Sequence, residues 1–476
     1  MSTASEVDSA ARSAAAAARW AEDLPRTRRA GLLEAMAAEL EADAEAIVAD
    51  ADRETSLGEP RLRGELNRTT YQLRLFAETV RDGGYLEATV DHAGDTPMGP
   101  RPDLRRMLVP LGPVAVFGAS NFPLAFSVPG GDTAAALAAG CPVVIKAHPA
   151  HPDTSQRCFD ALSRAAKANG APDGLLGLVS GQQAGVDLIT HPAIKAAAFT
   201  GSPAGGRVLG ELAANRPEPI PFYGELGSIN PVVVTAAAAA ERAAELGTGL
   251  AGSALLGAGQ FCTKPGLVFL PDSEAGQQIA DGMAAEFAAR PEHAMLTAGI
   301  REAFDRRAGE LAAQGVTELM HAPGGRLFSV AAAEFTEPVA DECFGPSTVL
   351  VRYPDEAGLD AALAKVPGSL TATLHTGQSE DVRELTRRLR ERAGRVLFNG
   401  YPTGVAVSWA QHHGGPWPST TSALHTSVGM TAPRRFLRPV TWQDAPEAVL
   451  PEELRESPAE EFLVPRRVDG RWLPRG

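Results

Sequence analysis

PVAVFGASNFPLAFSVPGGDTAAALAAGCPVVIKA, residues 113–147, places an apolar run, a turn, an alanine-rich stretch and a second apolar run in succession. The run at 113–118 reads as a buried strand, DTAAALAAG as a helix stopped by glycine, and PVVIKA (142–147) as the next strand. The rhythm continues through HPDTSQRCFDALSRAAKANG as a helix and LLGLVSG (175–181), AAAFTGS (196–202) and PFYGELG (221–227) as strands. Strands alternating with helices predict a parallel, doubly wound α/β sheet.

A second α/β series opens at INPVVV (229–234) and runs to about residue 400: a helix over 236–256, a polar loop, the strand LVFLP and a helix over 274–289. Upstream, residues 8–82 carry Ala, Glu, Arg and Leu at helical spacing, and 84–108 break into short strands around Gly and Pro, as a projecting hairpin would. The tail from about 435 is Pro- and Glu-rich and reads as an extended arm. With 476 residues the chain exceeds one core.

Hydrophobic residues make up 44% and charged ones 21%, as in a soluble globular protein, and the net charge of −14 argues against a general nucleic-acid binder. The first residues lack a basic region followed by an apolar core, and no apolar run is long enough to span a membrane. Cys141, Cys158, Cys262 and Cys343 show no paired or CxxC spacing, so neither disulfides nor a metal site is expected, and a reduced, cytoplasmic setting fits.

The chemistry begins at GAGQFCTKPG (257–266), where Cys262 sits among glycine and polar residues. A core cysteine would have apolar neighbours, whereas a reactive one needs access and a stabilised thiolate; the stretch alone leaves both readings open. Glu225 ends a strand, where ligands bind in α/β sheets, and is otherwise a solvated surface carboxylate. Asn121 follows a strand and either steadies a turn or donates to an oxyanion.

GASNFP, VVIKAHPAHP, FTGS, ELGSINP, GQFCTKPG, DECFGP and FNGYPTGV follow one another in an order that closely resembles the aldehyde dehydrogenase superfamily, over nearly the whole chain. The resemblance implies two doubly wound α/β domains, cofactor-binding (1–83, 109–224 and 411–434) and catalytic (225–410), with oligomerisation segments at 84–108 and 435–476. It implies Cys262 as nucleophile, Glu225 as general base, and Asn121 with the Cys262 backbone N–H as oxyanion hole. It places Lys146 on the adenosine ribose, Glu342 on the nicotinamide ribose, Phe344 near the ring, and Gly201 and Ser202 at the nicotinamide end. The partners it implies are a small aldehyde and further copies of the chain, as a dimer or tetramer, with no nucleic acid or membrane.

ELGS, GQFC and KAHPAHP depart from the commonest superfamily pattern and resemble the 2-oxoglutarate semialdehyde (2,5-dioxovalerate) dehydrogenase branch. In that branch Arg207 would meet the 2′-phosphate of NADP, so NADP is expected over NAD, and His413 would lie near the pocket. Arg68 is a candidate for the substrate carboxylate; Phe126, Phe261 and Trp417 could instead line an apolar tunnel for fatty aldehydes. Cys343 reads as structural. A cysteine hydrolase or acyltransferase pairing Cys262 with His412 or His413 is the alternative from another class. A CoA-acylating relative typically lacks the base that Glu225 supplies here.

Overall fold

The computed structural model describes residues 1–473. Val114–Phe117, Val143–Ala147, Leu176–Ser180, Ala196–Thr200 and Phe222–Glu225 form a five-stranded parallel sheet. Their order in space is 176–180, 143–147, 114–117, 196–200, 222–225, so the winding reverses beside strand 114–117. The side chains alternate between two apolar clusters, as a period of two requires. Val114, Val116, Val143 and Ile145 face one cluster; Ala115, Phe117 and Val144 face the other. The first cluster takes in helices Arg26–Ala42, Glu59–Asp82, Gly131–Ala139 and Pro152–Ala168; the second takes in Ala4–Asp23, Gln182–Thr190 and Pro203–Ala214.

The second sheet has seven strands in the order 317–322, 325–331, 347–353, 267–271, 231–234, 369–375, 393–398. All pairs are parallel except the hairpin of Thr317–Ala322 with Gly325–Ala331. Val232, Val234, Val268 and Leu270 pack under helices Ala236–Leu255 and Glu274–Ala289. Val233, Leu267 and Phe269 pack on the opposite side with Ala298–Ala313 and Glu356–Leu363.

The C-terminal segment is extended and pairs within the chain. Leu437–Gln443 runs antiparallel to Leu104–Pro110, which pairs with Thr89–Asp91, and Arg466–Val468 joins Thr89–Asp91 in parallel. Hairpin and arm thus complete one five-stranded sheet within the chain, and strand 104–110 runs past the expected limit at 108. The cause is mutual need: two short segments with few apolar residues leave unpaired backbone groups unless each supplies the other's ladder. Residues 474–476 of the expected segment lie outside the described residues.

Candidate active site

Ligands bind α/β sheets at the carboxyl ends of strands beside the point where the winding reverses. Here that point lies between strands 114–117 and 196–200. Asn121 follows the first, Gly201 and Ser202 follow the second, and Glu225 closes the neighbouring strand. Asn121 is buried, and its Nδ2 donates to the carbonyl of Gln260 at 2.9 Å, which leaves a second N–H of the amide for the pocket. Ser202 caps helix Pro203–Ala214 by accepting the Gly205 N–H at 3.2 Å. Glu225 is 7% exposed, and its Oε2 has no hydrogen-bond partner. An unsatisfied buried carboxylate is costly, and burial drives its pKa well above the usual range. Arg435 pulls it down against burial, while Asp132 pushes it further up.

Cys262 reaches the same place from the second sheet. Asn230, with φ at 52°, donates from Nδ2 to the carbonyls of Cys262 at 2.8 Å and Lys264 at 2.9 Å. Lys264, fully buried, extends the clamp by donating to the carbonyls of Cys343 at 2.9 Å and Ser347 at 2.7 Å. The loop's glycines make room for protein rather than for ligand. A Cβ at Gly259 would collide with the carbonyl of Gly345, and one at Gly257 would lie 2.6 Å from the Phe261 ring.

Burial pushes the Cys262 thiol up to about 12, and Glu342 and Glu225 add to the rise against the pull of Arg395 and Arg68. His413 Nε2 lies 3.7 Å from Sγ. Burial, with Arg395, Arg68 and His412 nearby, lowers that imidazole to about 3. A neutral imidazole beside a protonated thiol is not the preformed ion pair of a cysteine hydrolase. His412 is likewise lowered by burial.

Cys262 lines two cavities. One, of about 500 Å³, is walled by Asn121, Gly201, Ser202, Glu225, Glu342 and Phe344, among others. These residues fit a nicotinamide nucleotide: a helix N-terminus for phosphate, a carboxylate for ribose hydroxyls and an aromatic ring in the cavity that the thiol also lines. Gly227 keeps this wall open, because a Cβ there would strike the Glu342 carboxylate. Burial raises Glu342 to about 7, with Lys264 and the Ser228 N–H opposing. Lys146 on strand 143–147 and Arg207 on helix 203–214 lie outside this lining; burial lowers Lys146, and Arg207 is exposed with its guanidinium 5.5 Å from the Trp417 ring.

The second cavity, of about 240 Å³, holds Arg61, Glu65, Arg68, Phe122, Phe126 and Phe261 around the same thiol. Arg68, Phe126, Phe261 and His413 are therefore gathered around Cys262, whereas Trp417 stands 54% exposed and outside both linings. Asn230, Lys264 and Arg61 were not singled out from sequence. Asn230 lies in ELGSINP and Lys264 in GQFCTKPG, and Arg61 lies two helical turns before Arg68, the spacing of one helix face. Among the described residues no group of His, Cys, Asp and Glu could hold a metal ion, and no helix is long and apolar enough to cross a membrane.

The aldehyde dehydrogenase family model matches residues 1–304. The chain is 47% identical over 466 residues to alpha-ketoglutaric semialdehyde dehydrogenase 2 of Azospirillum brasilense, covering 94% of this chain and 88% of that protein. It is 40% identical over 474 residues to alpha-ketoglutaric semialdehyde dehydrogenase of Acinetobacter baylyi, covering 95% and 89%. The crystal structure of proline utilization A from Bradyrhizobium japonicum superimposes with a TM-score of 0.79 at 24% identity, over 93% of this chain but 45% of that longer one. That last likeness bears on the fold alone.

Proposed function

Because the chain belongs to the aldehyde dehydrogenase family, we propose that it oxidises 2-oxoglutarate (alpha-ketoglutarate) semialdehyde to 2-oxoglutarate, with NADP preferred to NAD. It is an oxidoreductase that converts aldehydes to acids with a nicotinamide cofactor. The observation that carries the finer reading is the place of Cys262, whose thiol lines both the cavity of Glu342 and Phe344 and the cavity of Arg61 and Arg68.

An aldehyde does not release hydride readily, because an acylium-like centre would remain. Once Cys262 has passed its proton to solvent, addition of the thiolate to the carbonyl carbon gives a tetrahedral thiohemiacetal instead. Its oxyanion is met by the free N–H of Asn121 and the backbone N–H of Cys262, each such donor being worth about 3–4 kcal/mol. The nicotinamide, when bound, supplies the hydride acceptor. Cys262 is then left as a thioester. Glu225 draws a proton from water, the water attacks the thioester, and the acid leaves as the thiol re-forms. A raised pKa suits Glu225 to this alternation between base and acid near neutral pH.

Arg207 supports NADP: it is an exposed cation on the helix that follows the Gly201–Ser202 turn. The presence of two separate sheets, of five and seven strands, supports a division into a cofactor unit (1–83, 109–224, 411–434) and a catalytic unit (225–410). A homodimer or dimer of dimers is supported by the exposed edge strand Arg471–Leu473, with Trp472 and Leu473 open to solvent. A monomer by light scattering at micromolar concentration would overturn that assembly. The four free cysteines suit a reduced, cytoplasmic setting.

Aldehyde-dependent formation of reduced nicotinamide without CoA, across a panel that includes 2-oxoglutarate semialdehyde, hexanal and decanal, tests the substrate. The expected result is the highest kcat/KM for the semialdehyde. A clear preference for the aliphatic aldehydes would replace it with the fatty-aldehyde reading, which Phe126 and Phe261 at the thiol support.

A further inference from the structure

Helix Glu59–Asp82 presents Arg61, Glu65 and Arg68 to the second cavity, at i, i+4 and i+7. The arginines are partly buried and incompletely satisfied. Arg61 Nη2 donates to the Asn121 carbonyl at 2.7 Å, while its Nη1 is buried without a partner. Arg68 Nε lies 3.5 Å from the Val405 carbonyl and Nη1 donates to the Gln72 amide oxygen at 3.4 Å, while its Nη2 is buried without a partner.

Both guanidiniums lie over aromatic rings. The Arg61 guanidinium lies 5.2 Å from the Phe122 centroid and 4.9 Å from that of Phe261, and Arg68 lies 5.0 Å from Phe126. Aromatic side chains that a sequence reader takes for an apolar tunnel are thus faced by cations. Stacking holds a guanidinium by its face and leaves its N–H edge for an acceptor. Glu65 makes no hydrogen bond to either guanidinium: its Oε1 accepts the N–H groups of Leu124 and Ala125 at 2.8 and 2.9 Å, and its Oε2 is buried without a partner. Two guanidiniums face one carboxylate, whose pKa burial raises, so positive charge predominates in the cavity.

On the reading that Cys262 is the nucleophile of an aldehyde dehydrogenase, we infer that Arg61 and Arg68 form a carboxylate-binding site that selects aldehydes bearing an acid group at the far end. The unpartnered Nη1 of Arg61 and Nη2 of Arg68 are the donors, and Phe122, Phe126 and Phe261 pre-orient them. A carboxylate offsets the excess positive charge and completes the buried hydrogen bonds. Arg61 does a second thing: through the Asn121 carbonyl it couples occupancy of this cavity to the residue assigned to the oxyanion.

The test is a matched pair, 5-oxopentanoate and pentanal, which share five carbons and differ in the terminal carboxylate. The readout is the ratio of their kcat/KM values in the parent, Arg61→Met, Arg68→Met and the double variant, with thermal unfolding measured for each. Methionine keeps an apolar stem against the rings. The parent should favour the acid, each single variant should cut the ratio by on the order of 10- to 100-fold, and the double variant should bring it near one. Arg61→Lys and Arg68→Lys, which keep the charge but lose the fork, should give intermediate ratios and replace any methionine variant that fails to fold. A ratio unchanged within about twofold in the variants, even where both rates fall together, would overturn the site and assign the arginines to packing. So would a parental ratio near one in an enzyme that oxidises both aldehydes. A parent that reduces nicotinamide with neither aldehyde would instead remove the catalytic reading on which the site rests.

Discussion

The side-chain amide of Asn230 donates to the carbonyl of Cys262 at 2.8 Å, so the start of one strand holds the Cys262 loop in place. The same Nδ2 reaches Lys264, and Oδ1 accepts from the Ser228 hydroxyl at 2.7 Å. Asn230 is fully buried and adopts a left-handed φ of 52°, where asparagine is tolerated better than most residues. Asn230→Ala leaves two buried carbonyls without this donor, at about 1–3 kcal/mol each. The expected outcome is a lower denaturation midpoint and a fall in kcat of tenfold or more, because the thiol is no longer held against Asn121 and the hydride acceptor. Wild-type turnover in a stably folded Asn230→Ala protein would remove Asn230 from the positioning role.

Glu225→Gln separates the two halves of the reaction. Gln keeps the shape but cannot take a proton from water, whereas addition of Cys262 and hydride departure do not need that step. Rapid mixing should show a burst of reduced cofactor close to one per site, followed by a steady state slowed by about 10²–10⁴. Loss of the burst itself would mean that Glu225 is also needed to take the proton from Cys262, whose thiol stands at about 12 before any ligand is bound.

The strands were legible because fully buried strands need continuous apolar runs, and PVAVFG, PVVIKA and LVFLP supply them. Asn121, Glu225 and Cys262 were legible because each sits where a strand or helix gives way to a turn inside a recognisable motif. The reason for the glycines around Cys262 was not. Gly259 yields to the Gly345 carbonyl and Gly257 to Arg61, both distant in sequence, and Gly257 also to Phe261, whose ring folds back over the same loop. Arg68 was visible as one cation on a helix. That it shares a cavity with Arg61, and that both lie over aromatic rings, depends on how helix 59–82 meets the turn at 121–126 and the loop at 261. The fold of hairpin and arm into one sheet was hidden for the same reason, since each segment alone carries half of a ladder.

Glu342 predicts a pH dependence of cofactor affinity. Its carboxyl is raised to about 7 by burial, so in the folded free enzyme it is mostly protonated below that value. Ribose hydroxyls donate best to the ionised form. The apparent KM for the nucleotide should therefore fall as pH rises from roughly 6 to 8 and level off above. Glu342→Gln should raise KM and flatten that profile. The same shift makes Glu342 favour the folded state below its unfolded pKa, a contribution lost as pH climbs through about 7. A KM independent of pH in the parent enzyme would show that Glu342 does not carry this contact.

We propose that Arg207 discriminates between the nucleotides. A chain that prefers NAD commonly offers an acid after the second strand for the ribose 2′-hydroxyl, and VVIKAHPAHPD offers none before Asp153. Arg207 stands on the helix that begins beside Ser202, and its charge lies over the exposed Trp417 ring. An exposed stack of this kind is worth about 0.5–1 kcal/mol, weak enough for the guanidinium to turn toward a phosphate that offers a charge-assisted pair. Removal of such a pair costs about 1.5–3 kcal/mol, or 10- to 150-fold in affinity. Arg207→Ala should accordingly raise the KM for NADP by at least tenfold and alter that for NAD by less than about twofold. The kcat/KM ratio of NADP to NAD, measured in parent and variant at low and high ionic strength, checks both parts, because a phosphate contact weakens with salt. A parent with equal efficiency on both nucleotides, or a variant with an unchanged ratio, would leave Arg207 as a surface residue stacked on Trp417.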